Sequence, residues 1–433
     1  MAIKQMTHFL AWPTRDKANI VTHHPTLKNT ITLFAICVLG AFVRFYNPSI
    51  IDWSSDHSDI SLIAQDIVAG KGVSLVGLPS SSGLPHSPFF IYPLVIPYTF
   101  TDNPIIVTAF ITTLNLLSVV LIWMIAFRYF GPLAAAVAAL AFAVHPWGVG
   151  YGRSIWSGDH RTFILLIGII LGLRGFFEGR RLAQILCLPV MLIAIQIHYA
   201  AWPLMAIYVW MVWSGWHKTK PVILTLSILL GLLTILPFSV GIYQALTDAV
   251  APVAVRPLRR ELTLRELIKP SGQMLWLATG LGTEQYVARQ NSDDLVRSVG
   301  WLRFLWLLQG ATVALGLGIL WRQHARLFAV LFSIWVLLPL LIFTIPILGV
   351  APHYFIPVIP ALCLLFGIGF AWLVETLKRW RPALSLAVWA VYALIVITQV
   401  RFTIFTYDYI NTQRCYLIKT APCRPRYHDH EEP

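Results

Sequence analysis

Apolar runs of membrane-spanning length alternate with short polar connections from about residue 30 to about residue 400. A helix that crosses a bilayer needs about 20 predominantly apolar residues. By that measure the pattern predicts spans at about 29–46, 104–127, 131–149, 161–178, 182–198, 200–216, 221–241, 303–321, 326–347, 354–374 and 382–401. The fold class expected is therefore an all-α polytopic membrane protein of about eleven transmembrane helices. A segment at 1–28 precedes the membrane domain (29–401), and a polar tail at 402–433 follows it. Two polar stretches, 47–103 and 242–302, are too long to be simple connections. In the first, Ile60, Ile63, Ala64 and Ile67 recur at helical spacing and predict an amphipathic helix, Ser58–Ala69, at the membrane surface. Phe89 to Phe100 is apolar but short and broken by proline, which predicts an interfacial or re-entrant piece. In the second loop, Pro257–Lys269 places Leu264, Leu267 and Ile268 on one helical face. That face fits either a helix lying on the membrane over the first loop or a solvated helix.

Composition agrees with lipid as the main solvent. The chain is 57% hydrophobic and 12% charged, with mean hydropathy +0.71, whereas soluble domains carry about 25% charged residues. The net charge of +13 is spread in small groups between spans. This distribution matches lipid head groups and topology control rather than nucleic acid. Eleven basic residues fall in one set of alternate short connections: Arg128; Arg174, Arg180, Arg181; Lys218, Lys220; Arg322, Arg326; and Lys378, Arg379, Arg381. The opposite set holds only Arg153 and Arg161, which predicts a cytoplasmic N-terminus with both long loops outside. Residues 1–28 have neither the continuous apolar core nor the cleavage site of a signal peptide. Cys37, Cys187 and Cys363 lie in apolar spans and read as small buried hydrophobes. Cys415 and Cys423 lie in the tail, which an odd number of crossings places outside, so a disulfide between them is expected if the space is periplasmic.

The chemically dense stretch is Asp52 to Phe90. Asp56, His57, Asp59 and Asp66 fall within a few turns, followed by Gly70, Lys71, Gly72 and then His86. Carboxylates at the mouth of a membrane-embedded chain are costly unless wet or paired, so they are functional candidates. Asp56 and Asp59, three residues apart, share a face if the helix starts early enough. They could bind a divalent cation, or one could act as general base while the other orients it. The plainer alternative is that Asp56 or Ser58 caps the helix. His145-Pro146-Trp147 and then Tyr151-Gly152-Arg153-Ser154-Ile155-Trp156 end the third span on the outer side. Arg153 there suits either a phosphate, gripped bidentately, or a lipid head group. Gln196-Ile197-His198-Tyr199 and His353-Tyr354 reach the same side by the same topology. Walker, HExxH, CxxC and GxSxG patterns are all lacking, which leaves ATPase, zincin and serine-hydrolase readings unsupported.

Five runs taken in order resemble the GT-C-fold glycosyltransferases: WSSDHSDISLIAQDIVAGKGVSLVG, GLPHSPFFIYPLVIPY, YGRSIW, QIHYAAW and HYFIPVIPALCLLFG. The likeness is to bacterial members akin to protein O-mannosyltransferases and aminoarabinose transferases, from the first span to about residue 374. It implies an essential acid in the first external loop, matched by Asp56, and a polyprenyl-phosphate sugar donor. The usual Asp-Glu or Asp-Gln is Asp56-His57 here, so the resemblance leaves a share for Asp59. It further implies a donor-phosphate contact at Arg153, with His353-Tyr354 matching a pair that precedes Pro357 and Pro360. His57, His86 and His198 are the remaining candidate substrate contacts. The expected activity is inverting sugar transfer to a lipid, protein or glycan acceptor on the outer face of a bacterial plasma membrane, with a divalent metal left open as cofactor. Two rivals stand beside it: a secondary transporter of an anionic solute, and a non-catalytic scaffold for lipid-linked sugars. Against the transporter, the polar clusters gather at one face rather than at mid-membrane.

Overall fold

The computed structural model describes residues 26–80, 85–156, 161–247, 263–284, 292–323, 325–345, 350–413, 416–418 and 421–424. Proline and glycine set the first boundaries. Pro104, Pro132, Pro146, Pro221 and Pro382 each open a helix, where the missing amide costs no hydrogen bond. Helix α1 (Leu27–Phe45) is followed by α2 (Ser55–Val68), the short α3 (Tyr92–Tyr98) and α4 (Pro104–Phe130). Gly131, at φ 92°, turns the chain in a single residue into α5 (Pro132–Val144). Then come α6 (Pro146–Gly150), α7 (Arg161–Gly172), α8 (Arg181–Ile197), α9 (Met205–Ser214), α10 (Pro221–Thr247) and α11 (Leu264–Thr279). The chain continues through α12 (Ser292–Val299), α13 (Trp306–Arg322), α14 (Arg326–Phe343), α15 (Ile359–Trp380) and α16 (Pro382–Gln413). Among the described residues the only strands are β1 (Tyr416–Ile418) and β2 (Ala421–Arg424), an antiparallel pair in the tail.

All eleven predicted spans are helical in their described residues, and the protein is an all-α polytopic membrane protein. Seven are long and apolar enough to cross a bilayer. The other four are shorter or broken: α5 with α6, α7 with a π-helical turn at Leu173–Phe177, α8, and α9 after a 3-10 turn at Tyr199–Leu204. The Phe89–Phe100 piece is a 3-10 turn at Pro88–Phe90 followed by the seven-residue α3, as its prolines predict. The last helix outruns its prediction. α16 has 32 residues, about 48 Å at 1.5 Å per residue, so the first part of the expected tail is helix.

α15 is the axis of the bundle. Its most apolar window is 89% buried, against 11% for α10 at the periphery. Glycines permit the close approach: a Cβ on Gly367 would lie 2.4 Å from Ala134 O of α5, and one on Gly316 of α13 would lie 2.1 Å from Leu365 O. At one end of the bundle Arg128 makes paired hydrogen bonds to Glu178 (Nη2–Oε2 2.7 Å), which also accepts from Tyr129. Lys218 donates to Phe177 O nearby. Three of the basic connections thus share one end, as the alternation of charge requires.

Arg44 sits in the last turn of α1 and is 1% exposed. It donates to Asn115 Oδ1 (2.8 Å), to Phe142 O (3.1 Å) and to Ala143 O. The Phe142 carbonyl cannot receive the amide of residue 146, which is proline, and has only a long bond from the His145 amide (3.4 Å) beside that of Arg44. Arg44 therefore closes the end of α5. The second loop also departs from a surface helix. Leu264 and Ile268 are exposed, but the helix runs on to Thr279 and buries Gln273, Met274, Leu277 and Ala278. His145 Nε2 donates to Leu277 O (2.8 Å) and Trp147 Nε1 to Leu281 O (2.8 Å), which ties α11 into the bundle.

Candidate active site

The site is assembled at the end of the bundle where α1 stops. α1 ends at Phe45, and Asn47 adopts φ 46°, a left-handed conformation that asparagine tolerates better than most residues. Arg153 then fastens the turn. Its Nη1 donates to Tyr46 O (2.8 Å), its Nη2 to Asn47 O (2.7 Å) and Ile50 O (3.2 Å), and its guanidinium lies 3.8 Å over the Tyr407 ring. Next in the chain, Asp52 and Ser154 form an isolated parallel bridge. Arg153 is 4% exposed, so much of its donor capacity is held by backbone carbonyls.

α2 begins at Ser55, three residues earlier than the apolar spacing predicts. Ser54 holds the N-cap position, so neither Asp56 nor Ser58 is the cap. The Ser54 hydroxyl goes instead to His57 Nδ1 (2.6 Å), and Ser154 Oγ lies 2.9 Å from His57 Nε2. Asp52 Oδ2 approaches that same Nε2 at 4.0 Å. A serine–histidine–acid relay needs the acid on the far nitrogen, so this ring is held rather than poised as a nucleophile's base. His57, Ile60, Ser61 and Ala64 face inward, while Asp56 and Asp59 are exposed on adjacent positions of the first turns. The early start of the helix brings the two carboxylates to one face. Asp66 is apart from them, in an exposed ion pair with Lys71 (2.8 Å). Two exposed carboxylates supply only part of the oxygen shell of a divalent cation. Among the described residues no group of three or more His, Cys, Asp or Glu side chains could hold a metal ion.

A second cluster adjoins the first through residues 153–156. Ser154 touches His57, Ile155 packs in the apolar cluster beneath α2, and the Trp156 ring meets those of His353 (4.7 Å) and His198 (5.6 Å). His198 also contacts His86 (5.6 Å), His353 (5.7 Å) and Tyr354 (5.6 Å), and His86 stacks on Tyr199 (5.2 Å). His86 is placed by backbone pairing with Gly77 (2.7 Å) and Leu78 (2.8 Å). Gly77 is required there, since a Cβ would meet Phe90 at 2.6 Å. Arg161, fully buried, donates to His353 O (3.1 Å). Three histidines far apart in sequence thus converge with Trp156, Tyr199 and Tyr354 over a buried cation. Of the expected disulfide, Cys415 and the Cys423 side chain lie outside the described residues.

Burial lowers the proton affinity of His86. In the unfolded chain this ring titrates near 6.5. Below that pH the unfolded state binds more protons than the folded one, so stability present above about pH 6.5 declines as pH falls. Thermal unfolding between pH 8 and pH 5 should show the midpoint dropping below about pH 6.5. His86→Asn, which cannot take up a proton, should flatten that drop. A wild-type midpoint indifferent to pH would refute a neutral His86.

No family model matches the sequence, and no curated protein matches it. Solved structures do. ArnT from Cupriavidus metallidurans, bound to undecaprenyl phosphate, matches with TM-score 0.51 and 15% identity over 90% of this chain and 81% of that one. Its apo state matches with TM-score 0.56 and 14% identity, over 89% and 79%. The oligosaccharyltransferase of Archaeoglobus fulgidus, in complex with Zn and sulfate, matches with TM-score 0.56 and 13% identity over 93% of this chain. The chain has the GT-C fold. It spans only 58% of the length of the archaeal oligosaccharyltransferase. Within this GT-C fold, several site residues were not legible as such in the sequence: Asp52 and Ser154, which meet only by tertiary bridging, and Arg161, which read as one of two basic residues in an outer connection. Arg44 was available from pattern alone, as a lone charge ending an apolar span.

Proposed function

We propose that the protein is a glycosyltransferase that moves a sugar from a polyprenyl-phosphate donor to an acceptor hydroxyl at the outer membrane face. The observation that carries this reading is the exposed Asp56–Asp59 face, anchored through residues 153–156 to the ring of His86, His198, His353, Trp156, Tyr199 and Tyr354 at one end of a GT-C bundle. The undecaprenyl phosphate bound by ArnT and the dolichol phosphate bound by the archaeal oligosaccharyltransferase support a lipid-phosphate donor.

In this mechanism Asp56 accepts the proton of the acceptor hydroxyl as its oxygen attacks the anomeric carbon. The bond between that carbon and the phosphate oxygen breaks on the opposite side, so the configuration inverts and the electron pair leaves with the polyprenyl phosphate. Charge develops on that phosphate, and stabilising developing charge by fixed groups is commonly the largest catalytic contribution. His353 and Tyr354 are the phosphate contacts, with the buried charge of Arg161 behind them. Arg153 supports the loop that carries Asp56, and any direct phosphate contact it makes competes with its three carbonyls. His57, His86 and His198 shape the acceptor and sugar pockets. A scaffold would share the fold without turnover. The purified protein, given polyprenyl-phosphate sugars and envelope acceptors, should release polyprenyl phosphate in step with glycosylated product. A cytoplasm-only reporter should be active after Arg181 or Lys220 and silent near Arg260. Donor consumption in no condition, or the opposite reporter pattern, would defeat the reading.

A further inference from the structure

Away from the site, α1 and α16 enclose a groove of about 470 Å³, within the range of roughly 300–1,000 Å³ typical of small-molecule sites. Its apolar floor is Leu39 of α1 with Val396, Val400, Ile404 and Phe405 of α16, and its two polar residues are Arg401 and Asp408. Arg401 is exposed and has no hydrogen-bond or ion-pair partner among the described residues. Asp408 accepts from Tyr46 Oη (2.9 Å) and Asn47 Nδ2 (3.1 Å), both through Oδ1. Its Oδ2 receives no donor from the described residues.

Depth adds to this. From Pro382 to Arg401 a helix climbs about 28 Å, close to the roughly 30 Å thickness of the hydrocarbon core. α16 starts directly after the basic group Lys378, Arg379 and Arg381. Arg401 therefore reaches the far edge of the apolar layer, at the end of the bundle where Tyr46 and Asn47 open the first loop. Asp408 stands two turns further out, about 10 Å along the axis. Moving outward, the groove presents apolar surface, then a cation, then a carboxylate oxygen.

We infer that this groove binds one glycerophospholipid whose head group carries a phosphate and a primary ammonium, a phosphatidylethanolamine-type lipid. An acyl chain lies on the floor, the phosphate meets Arg401, and the ammonium meets Asp408 Oδ2. The order of charges in the lipid repeats the order in the groove. A lipid with phosphate alone satisfies Arg401 but brings negative charge toward Asp408. This site is independent of the proposed transfer reaction.

The test is lipid retention by native mass spectrometry, with the delipidated full-length protein offered phosphatidylethanolamine, phosphatidylglycerol and phosphatidylcholine of identical acyl chains. Wild type should retain phosphatidylethanolamine over each of the others by about three- to ten-fold, the ratio expected from one partly exposed charge pair. Arg401→Gln should lose retention of phosphatidylethanolamine and phosphatidylglycerol alike. Asp408→Asn, which keeps an oxygen for Tyr46 and Asn47, should abolish the preference between those two. Ile397 also lines the groove; Ile397→Trp fills it without touching either charge and should lower retention of all three, which keeps the test open if a charge variant fails to fold. Equal retention of the three lipids by wild type, or a preference surviving in Asp408→Asn, would mean annular lipid only and overturn the inference. A preference for phosphatidylglycerol, or refusal of every lipid because part of this chain fills the groove, would overturn it equally.

Discussion

Asp56→Asn is expected to lower sugar transfer by about 10² or more while the protein still folds and still binds polyprenyl phosphate. The substitution keeps the size of the side chain and most of its hydrogen bonding, and removes the carboxylate that receives the proton. Because Asp56 is exposed and is not the cap of α2, the helix should survive the change. Asp59→Asn separates two arrangements on the same face. A mild loss assigns Asp59 to orientation, and a loss equal to that of Asp56→Asn assigns the pair a joint task as an acid pair or a cation site. The measurements are single-turnover transfer with a labelled donor and separate donor binding to each variant. Full transfer by Asp56→Asn would end the general-base assignment and favour the scaffold.

The second large effect is expected at Arg153. Its guanidinium satisfies the carbonyls of Tyr46, Asn47 and Ile50 where α1 gives way to the first loop. Hydrogen bonds to charged groups contribute about 1.5–3 kcal/mol each, and buried carbonyls left without donors cost about 1–3 kcal/mol each. These are not additive, so Arg153→Met is expected to destabilise the protein by about 3–5 kcal/mol. Arg153→Lys keeps the charge but loses the planar fork, and should fall between. Hydrogen exchange over 47–59 should rise in both variants, with turnover falling as the Asp56 helix loosens. If Arg153 instead acts chiefly on the donor phosphate, Arg153→Lys would raise the donor KM with exchange over 47–59 unchanged.

The sequence made the architecture legible because lipid imposes a simple rule on every span. Length, apolar runs and the lopsided Lys/Arg distribution were enough for an all-helical membrane bundle with two long loops. What stayed hidden depends on contacts between distant segments. The apolar spacing of Ile60, Ile63, Ala64 and Ile67 marks α2 but carries no signal for its start, which follows from Ser54 and the docking of His57 on Ser154. The leucines of Pro257–Lys269 suggested a surface helix. The structure continues that helix into the bundle because Gln273, Met274 and Leu277 further along form the face that packs. Arg153 was legible as a functional cation, but sequence offered no sign that three carbonyls would occupy it. The histidines of the second cluster read as candidate substrate and phosphate contacts reaching one membrane face, and only the fold makes their rings neighbours.

Arg44 has a bearing on how the chain reaches its native state. It belongs to the first of the described helices, and the Ala143 carbonyl it grips lies 99 residues later. At synthesis rates of about 5–20 residues per second, α1 waits on the order of 5–20 s before α4 and α5 exist to receive it. During that interval a charge in the final turn reaches for the interfacial water, since charge in hydrocarbon is costly. Insertion of α1 and its docking are thus two events separated in time. A ribosome-stalled chain ending before residue 104 should hold Arg44 at the lipid boundary, where a cysteine in its place is open to aqueous thiol reagents. A chain released after α5 should close it off.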